Sequence, residues 1–237
     1  MPAKKGVIFV LHGRQDHIVK TNIAAIEQAA RAVSVPFAIG FLEGEHQTLE
    51  DSIAKLVAKG CQEFIFLPVL LFAATHVKVE LPMRAGAVLP KEAIATYLEP
   101  LGTTHAVLRF LAEQLAAQPK LLPQSVLLIA HGTPHFLEPY VQLAEIAQKL
   151  TLISGRKVYP ANYHGEHLYT TVLNQIPTPL IVQRLFLTEG FLPTKIKQDI
   201  VTKRGTKDTI LPTLADSPAV VAAILERLAD SNVTHHA

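Results

Sequence analysis

The chain alternates short, wholly apolar segments with longer segments whose apolar residues recur at helical spacing. An apolar segment without polar alternation is typical of a strand that is buried on both faces, as in a parallel sheet. In the first half, the predicted strands are residues 6–11, 37–42, 64–72 and 93–98. The predicted helices are residues 22–33, 48–59 and 105–117. This repeated strand–helix–strand order predicts an α/β fold in which helices cover both faces of a parallel sheet.

Single residues refine the boundaries of these elements. Thr48 is a candidate N-cap with Asp51 three residues later, which is typical of the start of a helix. Gly60 follows the same helix and is expected to end it. Pro68 has no backbone N–H to donate, so we expect the third strand to stop or bulge there.

The same order of elements restarts after a connector, residues 118–124, which contains Pro119 and Pro123. Beyond the connector, the predicted strands are residues 126–130, 157–163, 180–187 and 209–212. The predicted helices are residues 139–150, 168–176, 194–203 and 216–230. The connector therefore predicts two domains, residues 1–120 and residues 121–237.

Two short motifs occur once in each half of the chain. His12-Gly13 returns as His131-Gly132, and Gly44-Glu45-His46 returns as Gly165-Glu166-His167, at nearly equal offsets. Shared motifs within a shared order of elements predict that the chain holds two copies of one α/β domain.

Composition and charge narrow the possible functions. The chain has 237 residues, of which 49% are hydrophobic, so it can bury a sizeable core. The 22 Lys and Arg residues nearly balance the 20 Asp and Glu residues, which argues against a dedicated nucleic-acid binder. The single cysteine, Cys61, excludes an intrachain disulfide and a four-cysteine metal site.

Neither a membrane span nor a secretory signal is indicated. The longest apolar segment, residues 64–75, is shorter than the roughly 18 residues that a membrane helix needs. The apolar stretch after the basic N-terminus ends at His12 and is too short for a signal sequence. We therefore expect a cytoplasmic protein without a membrane or nucleic-acid partner.

Metal-ligating side chains follow three of the predicted strands. Ligands of open parallel sheets bind beyond the carboxyl ends of the strands, and His12, Glu43 and His76 follow the first, second and third strands. With strand order 2-1-3, these side chains would lie side by side along one sheet edge. Two imidazoles and a carboxylate suit a divalent transition metal and can also accept protons near neutral pH. The pattern predicts a metal site or an acid–base site.

Three motifs resemble those of the class II tetrapyrrole chelatases, specifically the sirohydrochlorin chelatases that insert cobalt or iron. Val10–Arg14 resembles a strand that ends His-Gly-Ser-Arg, and Phe41–Glu43 resembles a strand that ends Phe-Leu-Glu. Pro68–Pro82 resembles an apolar run followed by Gly-His-Val-Lys-x-Asp-Ile-Pro. The chain departs from these motifs at Arg14, Thr75 and Glu80. The resemblance covers the whole chain, because long members of the family carry two fused copies of the domain.

The resemblance implies two flavodoxin-like domains that face each other across a cleft holding a flat macrocycle. It implies that His12 and His76 are the active-site histidines, with Glu43 as the accompanying acid and metal ligand. The implied reaction is the insertion of Co²⁺ or Fe²⁺ into sirohydrochlorin, for cobalamin or siroheme biosynthesis, by a monomer with two fused domains. The metal is then a substrate. The sequence has no phosphate-binding loop and no flavin or nicotinamide fingerprint, so we expect neither ATP nor an organic cofactor.

Sirohydrochlorin carries eight carboxylates, so the resemblance also implies a locally basic binding surface. The candidate substrate-binding residues are Arg14, Lys78, Arg84 and, in the second domain, His131. Further basic candidates are Lys20, Arg184, Lys195 and Lys197.

The second domain is expected to carry a degenerate site. It keeps His131, but His164 stands where the first domain has Glu43, and residues 184–193 contain no histidine. Glu189 is a possible contributor from that segment.

Other functions and other metals remain as alternatives. A histidine-based phosphatase or mutase would need an arginine just before His12-Gly13 to bind phosphate, and Leu11 stands there. A non-catalytic metal carrier or tetrapyrrole-binding protein stays open because of the departures at Arg14 and Thr75. Cobalt, iron and nickel also stay open, as does the identity of the macrocycle, because His and carboxylate ligands accept all three metals.

Overall fold

Two four-stranded parallel sheets form the framework of the protein. The computed structural model describes residues 3–13, 20–119, 124–215 and 217–234. The first sheet consists of β1 (Lys5–Leu11), β2 (Phe37–Phe41), β3 (Glu63–Pro68) and β4 (Ile94–Tyr97). The second consists of β5 (Ser125–Gly132), β6 (Val158–His164), β7 (Leu180–Arg184) and β8 (Thr209–Ile210). Their strand orders are β2-β1-β3-β4 and β6-β5-β7-β8, so the predicted order 2-1-3 and the predicted duplication of the α/β fold are confirmed.

Eight α-helices lie in the described residues. They are α1 (Lys20–Ala30), α2 (Leu49–Ala58), α3 (Leu81–Val88), α4 (His105–Ala116), α5 (Glu138–Ser154), α6 (Tyr169–Gln175), α7 (Phe191–Arg204) and α8 (Pro218–Leu228). None of them combines the length and the apolar character that a bilayer-spanning helix requires. A π-helical turn, His76–Glu80, runs directly into α3. The apolar pattern did not predict helix at 76–88, because α3 is only eight residues long and contains Pro82.

The predicted boundary between residues 120 and 121 does not coincide with the compact units of the structure. The first unit comprises residues 1–104 with 220–237, and the second comprises residues 105–219. Helix α4 belongs to the second unit, where the side chain of Gln183 donates to the Leu111 carbonyl at 2.8 Å. Helix α8 belongs to the first unit, where Arg227 donates to the Pro100 carbonyl. Residues 120–123 of the predicted connector lie outside the described residues, and tertiary packing decides the units.

The first unit buries its central strand completely, as the lack of polar alternation predicted. Val7, Ile8, Phe9 and Val10 of β1 have no exposed surface. On one face of the sheet, β1 and β3 pack against α2 and α3 through a cluster that includes Phe64, Phe66, Leu49, Ile53, Leu56, Leu81 and Ala85. Helices α2 and α3 are therefore fixed to the sheet by its core.

The predicted helix start and strand end are both present. Thr48 Oγ1 accepts from the Asp51 N–H and Asp51 Oδ2 accepts from the Thr48 N–H, each at 3.1 Å, which forms a capping box at the start of α2. Strand β3 ends at Pro68, the last residue that pairs with β1.

A buried ion pair joins the end of α7 to the strand beside it in the second unit. The side chains of Arg204 and Asp208 are 5% and 1% exposed, and Nε and Oδ2 are 2.5 Å apart. Arg204 also donates to backbone carbonyls of the α6–β7 segment, including that of Ile176 at 2.7 Å. Asp208 accepts from the N–H of Leu180, the first residue of β7.

We predict that Asp208→Ala destabilises the protein by about 3–5 kcal/mol, because it leaves the Arg204 guanidinium buried without its counter-ion. Urea unfolding of the variant and the wild type measures the change. Lys203→Ala, an exposed position on the same helix, is the matched control and should change the unfolding free energy by less than about 0.5 kcal/mol. Equal stability of the two variants would show that the ion pair contributes nothing.

Candidate metal centre

The structure brings His12, Glu43 and His76 together at the carboxyl edge of the first sheet. His12 follows β1, Glu43 lies two residues beyond β2, and His76 begins the π-helical turn after β3. Because β1 lies between β2 and β3, the three segments leave the sheet side by side. One ligand atom from each side chain lies within 4.8 Å of the others. Among the described residues, no other cluster of three or more histidine, cysteine or carboxylate side chains has this geometry.

Hydrogen bonds set the tautomers of the two imidazoles. His12 Nδ1 lies 2.8 Å from the Gly13 carbonyl oxygen, and His76 Nδ1 lies 2.7 Å from Glu80 Oε2. Both partners accept hydrogen bonds, so both Nδ1 atoms carry a proton, and Nε2 is the ring nitrogen that remains for a ligand. The two Nε2 atoms are 2.9 Å apart. Two nitrogens at about 2.1 Å from one ion, at a right angle, would be separated by about 3.0 Å, so this spacing suits a shared metal ion.

Backbone contacts fix the histidine of β1 relative to the carboxylate that follows β2. The Glu43 N–H donates to the His12 carbonyl at 2.8 Å. Gly13 has a φ of 79°, and a Cβ at this position would lie 2.3 Å from the Glu43 carbonyl oxygen. Only glycine therefore allows the two chain segments to approach this closely.

The cluster is accessible from solvent. The side chains of His12, Glu43 and His76 are 40%, 45% and 34% exposed. Glu43 Oε2 lies 3.6 Å from His12 Nδ1, so the carboxylate is close to the imidazoles without being tied to them.

Glu80 and Arg84 support His76 from the side away from His12. Glu80 Oε1 accepts from Arg84 Nη1 at 2.8 Å, while its other oxygen accepts from His76. Burial opposes ionisation of the Glu80 carboxyl, but the hydrogen bonds from His76 and Arg84 outweigh it, so the pKa of Glu80 lies below its ordinary value. The sequence signal for this pair is the spacing of four between residues 76, 80 and 84, which becomes readable only once the segment is known to be helical.

The π-helical turn has a local cause in the sequence. The Leu81 N–H bonds to the His76 carbonyl, which is one residue wider than an α-helical turn. Pro82 has no N–H, and its ring would collide with the Lys78 carbonyl in a regular α-helix. The wider turn removes this conflict, and turns of this kind are frequent at functional sites.

The structure changes the interpretation of the predicted substrate-binding residues in the first unit. Arg14 lies outside the described residues. Lys78 is exposed, two residues beyond His76. Arg84 uses all three guanidinium nitrogens for Glu50, Glu80 and the Leu42 carbonyl, so a substrate carboxylate would have to displace one of these partners.

The second unit repeats the local geometry of His12 with different neighbours. His131 Nδ1 lies 2.8 Å from the Gly132 carbonyl, and Gly132 pairs with His164 in the strand register. His164 therefore occupies the position of Glu43, as the sequence alignment of the two halves predicted. The two rings are 5.3 Å apart at their centroids.

Two of the basic residues predicted to bind substrate in the second unit already pair with other residues of the protein. The Arg184 side chain is 4% exposed and bonds to Glu189 at 2.5 Å and to the Pro193 carbonyl at 2.9 Å. Burial thus removes Arg184 from the predicted set of substrate-binding residues. Lys195 pairs with Asp199 at 3.4 Å, whereas Lys197, like Lys20 of the first unit, is exposed.

A shallow pocket of about 220 Å³ in the second unit, with residues 133–137 in its lining, was not predicted from the sequence. The ring of Tyr140 stacks on His167 with centroids 3.8 Å apart, and His135 also lines the pocket. Its aromatic and imidazole lining offers flat surfaces, which suit an aromatic or conjugated molecule.

A comparison with protein families matches the part of the chain that holds this cluster. The CbiX family model matches residues 6–118, which include all three clustered side chains. The first half of the chain matches the CbiX family.

Two curated relatives match parts of the chain. Sirohydrochlorin ferrochelatase of Bacillus subtilis strain 168 is 29% identical over 111 residues, which are 45% of this chain and 42% of that protein. Sirohydrochlorin cobaltochelatase of Saccharolobus islandicus strain L.S.2.15 is 33% identical over 82 residues, which are 34% of this chain and 63% of that protein. The chain thus spans less than two thirds of the length of either relative in these matches.

Solved structures extend the similarity in fold to almost the whole chain. SirB from Bacillus subtilis with Fe³⁺ has a TM-score of 0.83 and 21% identity, covering 98% of this chain and 100% of that one. CbiX, the terminal enzyme for biosynthesis of siroheme in denitrifying bacteria, has a TM-score of 0.70 and 19% identity, covering 95% and 99%. At these identities the likeness establishes the fold. The predicted resemblance to the class II chelatases is confirmed.

We predict that Gly13→Ala disturbs the cluster, because the new Cβ would push the Glu43 backbone away and the positive φ would be strained. The expected results are weaker Co²⁺ binding and a loss of about 1–3 kcal/mol in unfolding free energy. Gly86→Ala is the control, since a Cβ there meets nothing within 4 Å and α3 favours alanine. Wild-type Co²⁺ affinity in Gly13→Ala would contradict the role of this backbone contact.

Proposed function

We propose that the protein inserts Co²⁺ or Fe²⁺ into sirohydrochlorin without ATP, in cobalamin or siroheme biosynthesis. The observation that carries the proposal is the cluster of His12, Glu43 and His76 at one partly exposed sheet edge, where one ligand atom of each lies within 4.8 Å of the others and the two Nε2 atoms are 2.9 Å apart. The names of the two relatives, a ferrochelatase and a cobaltochelatase of sirohydrochlorin, support this substrate and these metals.

The chemistry requires the ion to lose water, two pyrrole N–H protons to leave and the ring to be held meanwhile. The two neutral imidazoles bind the ion through Nε2, and Glu43 supplies an oxygen ligand or accepts a proton. Sirohydrochlorin and M²⁺ yield the metallated ring and two protons, so no electron transfer is needed. Because the protein supplies few ligands and they are half-exposed, the ion can pass from the protein to the ring nitrogens.

The remaining sequence predictions belong to the same proposal. The macrocycle is bound through its carboxylates, with Lys78 as the exposed basic residue nearest in sequence to His76 and His131 as a candidate contributor. We further propose a monomer that acts in the cytoplasm without an organic cofactor. In this proposal, the N-terminal domain carries the metal site and the C-terminal domain carries a degenerate site.

We predict that His12→Ala and His76→Ala each abolish metal insertion, because either change removes one of two converging lone pairs. Anaerobic mixing of enzyme, Co²⁺ and sirohydrochlorin, followed by absorption spectroscopy, measures the metallated product. His105→Ala, an exposed position at the start of α4, is the control.

The same assay separates the competing interpretations. A wild-type protein that binds Co²⁺ or sirohydrochlorin without forming the metallated spectrum would be a carrier. Full turnover by both histidine variants would contradict the assigned site. A loss in His131→Ala as large as that in His12→Ala would move the site into the second unit.

We predict that Ni²⁺ competes with Co²⁺ for the protein, whereas a tenfold excess of Mg²⁺ does not, because imidazoles favour transition metals over hard cations. Insertion rates in mixtures of purified enzyme, sirohydrochlorin and paired metals measure the preference. Inhibition by Mg²⁺ equal to that by Ni²⁺ would show that the imidazoles do not contact the ion.

A further inference from the structure

A chain of hydrogen bonds connects His76 to the strand end that carries Glu43. His76 Nδ1 donates to Glu80 Oε2 at 2.7 Å, and Glu80 Oε1 accepts from Arg84 Nη1 at 2.8 Å. The same Nη1 donates to the carbonyl of Leu42, the residue directly before Glu43. One guanidinium therefore contacts both the carboxylate that orients His76 and the backbone that carries Glu43.

Arg84 is itself held in place by a second carboxylate. Its Nε and Nη2 donate to the two oxygens of Glu50 at 2.7 and 2.6 Å. Such a two-point pair fixes the plane of the guanidinium as well as its position. Glu50 lies in the first turn of α2 and Arg84 in α3, and both helices are anchored in the core of the first unit.

We infer that Arg84 is a positioning residue for the metal ligands. Through Glu80 it sets the ring orientation of His76, and through the Leu42 carbonyl it sets the position of Glu43. Partners of this kind behind ligating histidines commonly govern metal affinity. The inference rests on the proposed function for the role of the three ligands, whereas the hydrogen-bonded chain itself is a feature of the first unit.

This role differs from that of a residue that binds a ring carboxylate. A substrate-binding arginine acts on the KM for the tetrapyrrole and leaves the affinity for a free ion unchanged. A positioning residue acts on the affinity for the ion and on kcat, and leaves the KM for the tetrapyrrole unchanged.

Arg84→Met distinguishes the two roles, because it keeps an unbranched apolar stem and removes the guanidinium. Titration with Co²⁺ alone, followed by the visible absorption of the bound ion, should show an affinity about 10- to 100-fold weaker and an altered band shape. With sirohydrochlorin, kcat should fall and KM should stay at the wild-type value. Arg84→Lys keeps the positive charge but loses the planar guanidinium that binds a carboxylate at two points, so it should recover part of the Co²⁺ affinity.

Arg31→Met is the matched control, since Arg31 is exposed in the turn between α1 and β2. If Arg84→Met does not fold, Glu50→Gln removes the charged partner of the guanidinium and should shift Co²⁺ affinity in the same direction. A raised KM with unchanged Co²⁺ affinity, or no change in either quantity, would overturn the inference.

The two parts of the experiment keep this inference separate from the proposed function. Co²⁺ binding is measured without a tetrapyrrole. A wild-type protein that binds Co²⁺ but inserts no metal would refute the proposed function, while the effect of Arg84→Met on Co²⁺ affinity would still decide the positioning role.

Discussion

The Nε2 atoms of His12 and His76 lie 2.9 Å apart, and the surrounding structure holds them there. Each ring is oriented by a hydrogen bond from its other nitrogen, to the Gly13 carbonyl in one case and to Glu80 in the other. A metal ion bound to both Nε2 atoms would fit this separation. The affinity of this sheet edge for a cation therefore depends on the Gly13 carbonyl and the Glu80 carboxylate, which orient the two rings, as well as on the ligands themselves.

The second unit shows how much of this arrangement the fold alone provides. It has the same strand order, a glycine with positive φ at the same place, and His131 in the same local hydrogen bond. His164 replaces the carboxylate, and Arg184, which takes the register position of Pro68 at the end of β3, is buried against Glu189. The scaffold offers positions at the sheet edge, and the side chains at those positions decide the chemistry.

The sequence predicted what local patterns encode and missed what depends on distant packing. Wholly apolar segments predicted the strands, the order 2-1-3 was assumed for an open parallel sheet, and the repeated motifs identified His164 as the counterpart of Glu43. Helix α3 was not predicted, because Pro82 interrupts its short pattern. Without that helix, the sequence did not show that His76, Glu80 and Arg84 lie on one helix face. Arg84 was therefore predicted to bind the substrate. The unit boundary was also hidden, since α8 returns to the first unit through contacts far apart in sequence.

Anomalous diffraction from crystals of the Co²⁺-loaded protein measures whether one ion is bound between the Nε2 atoms of His12 and His76. We predict a cobalt peak about 2.1 Å from both nitrogens, near the Glu43 carboxylate, and no such peak in crystals of His76→Ala. A cobalt peak at His131 and His164, with none at His12, would contradict it.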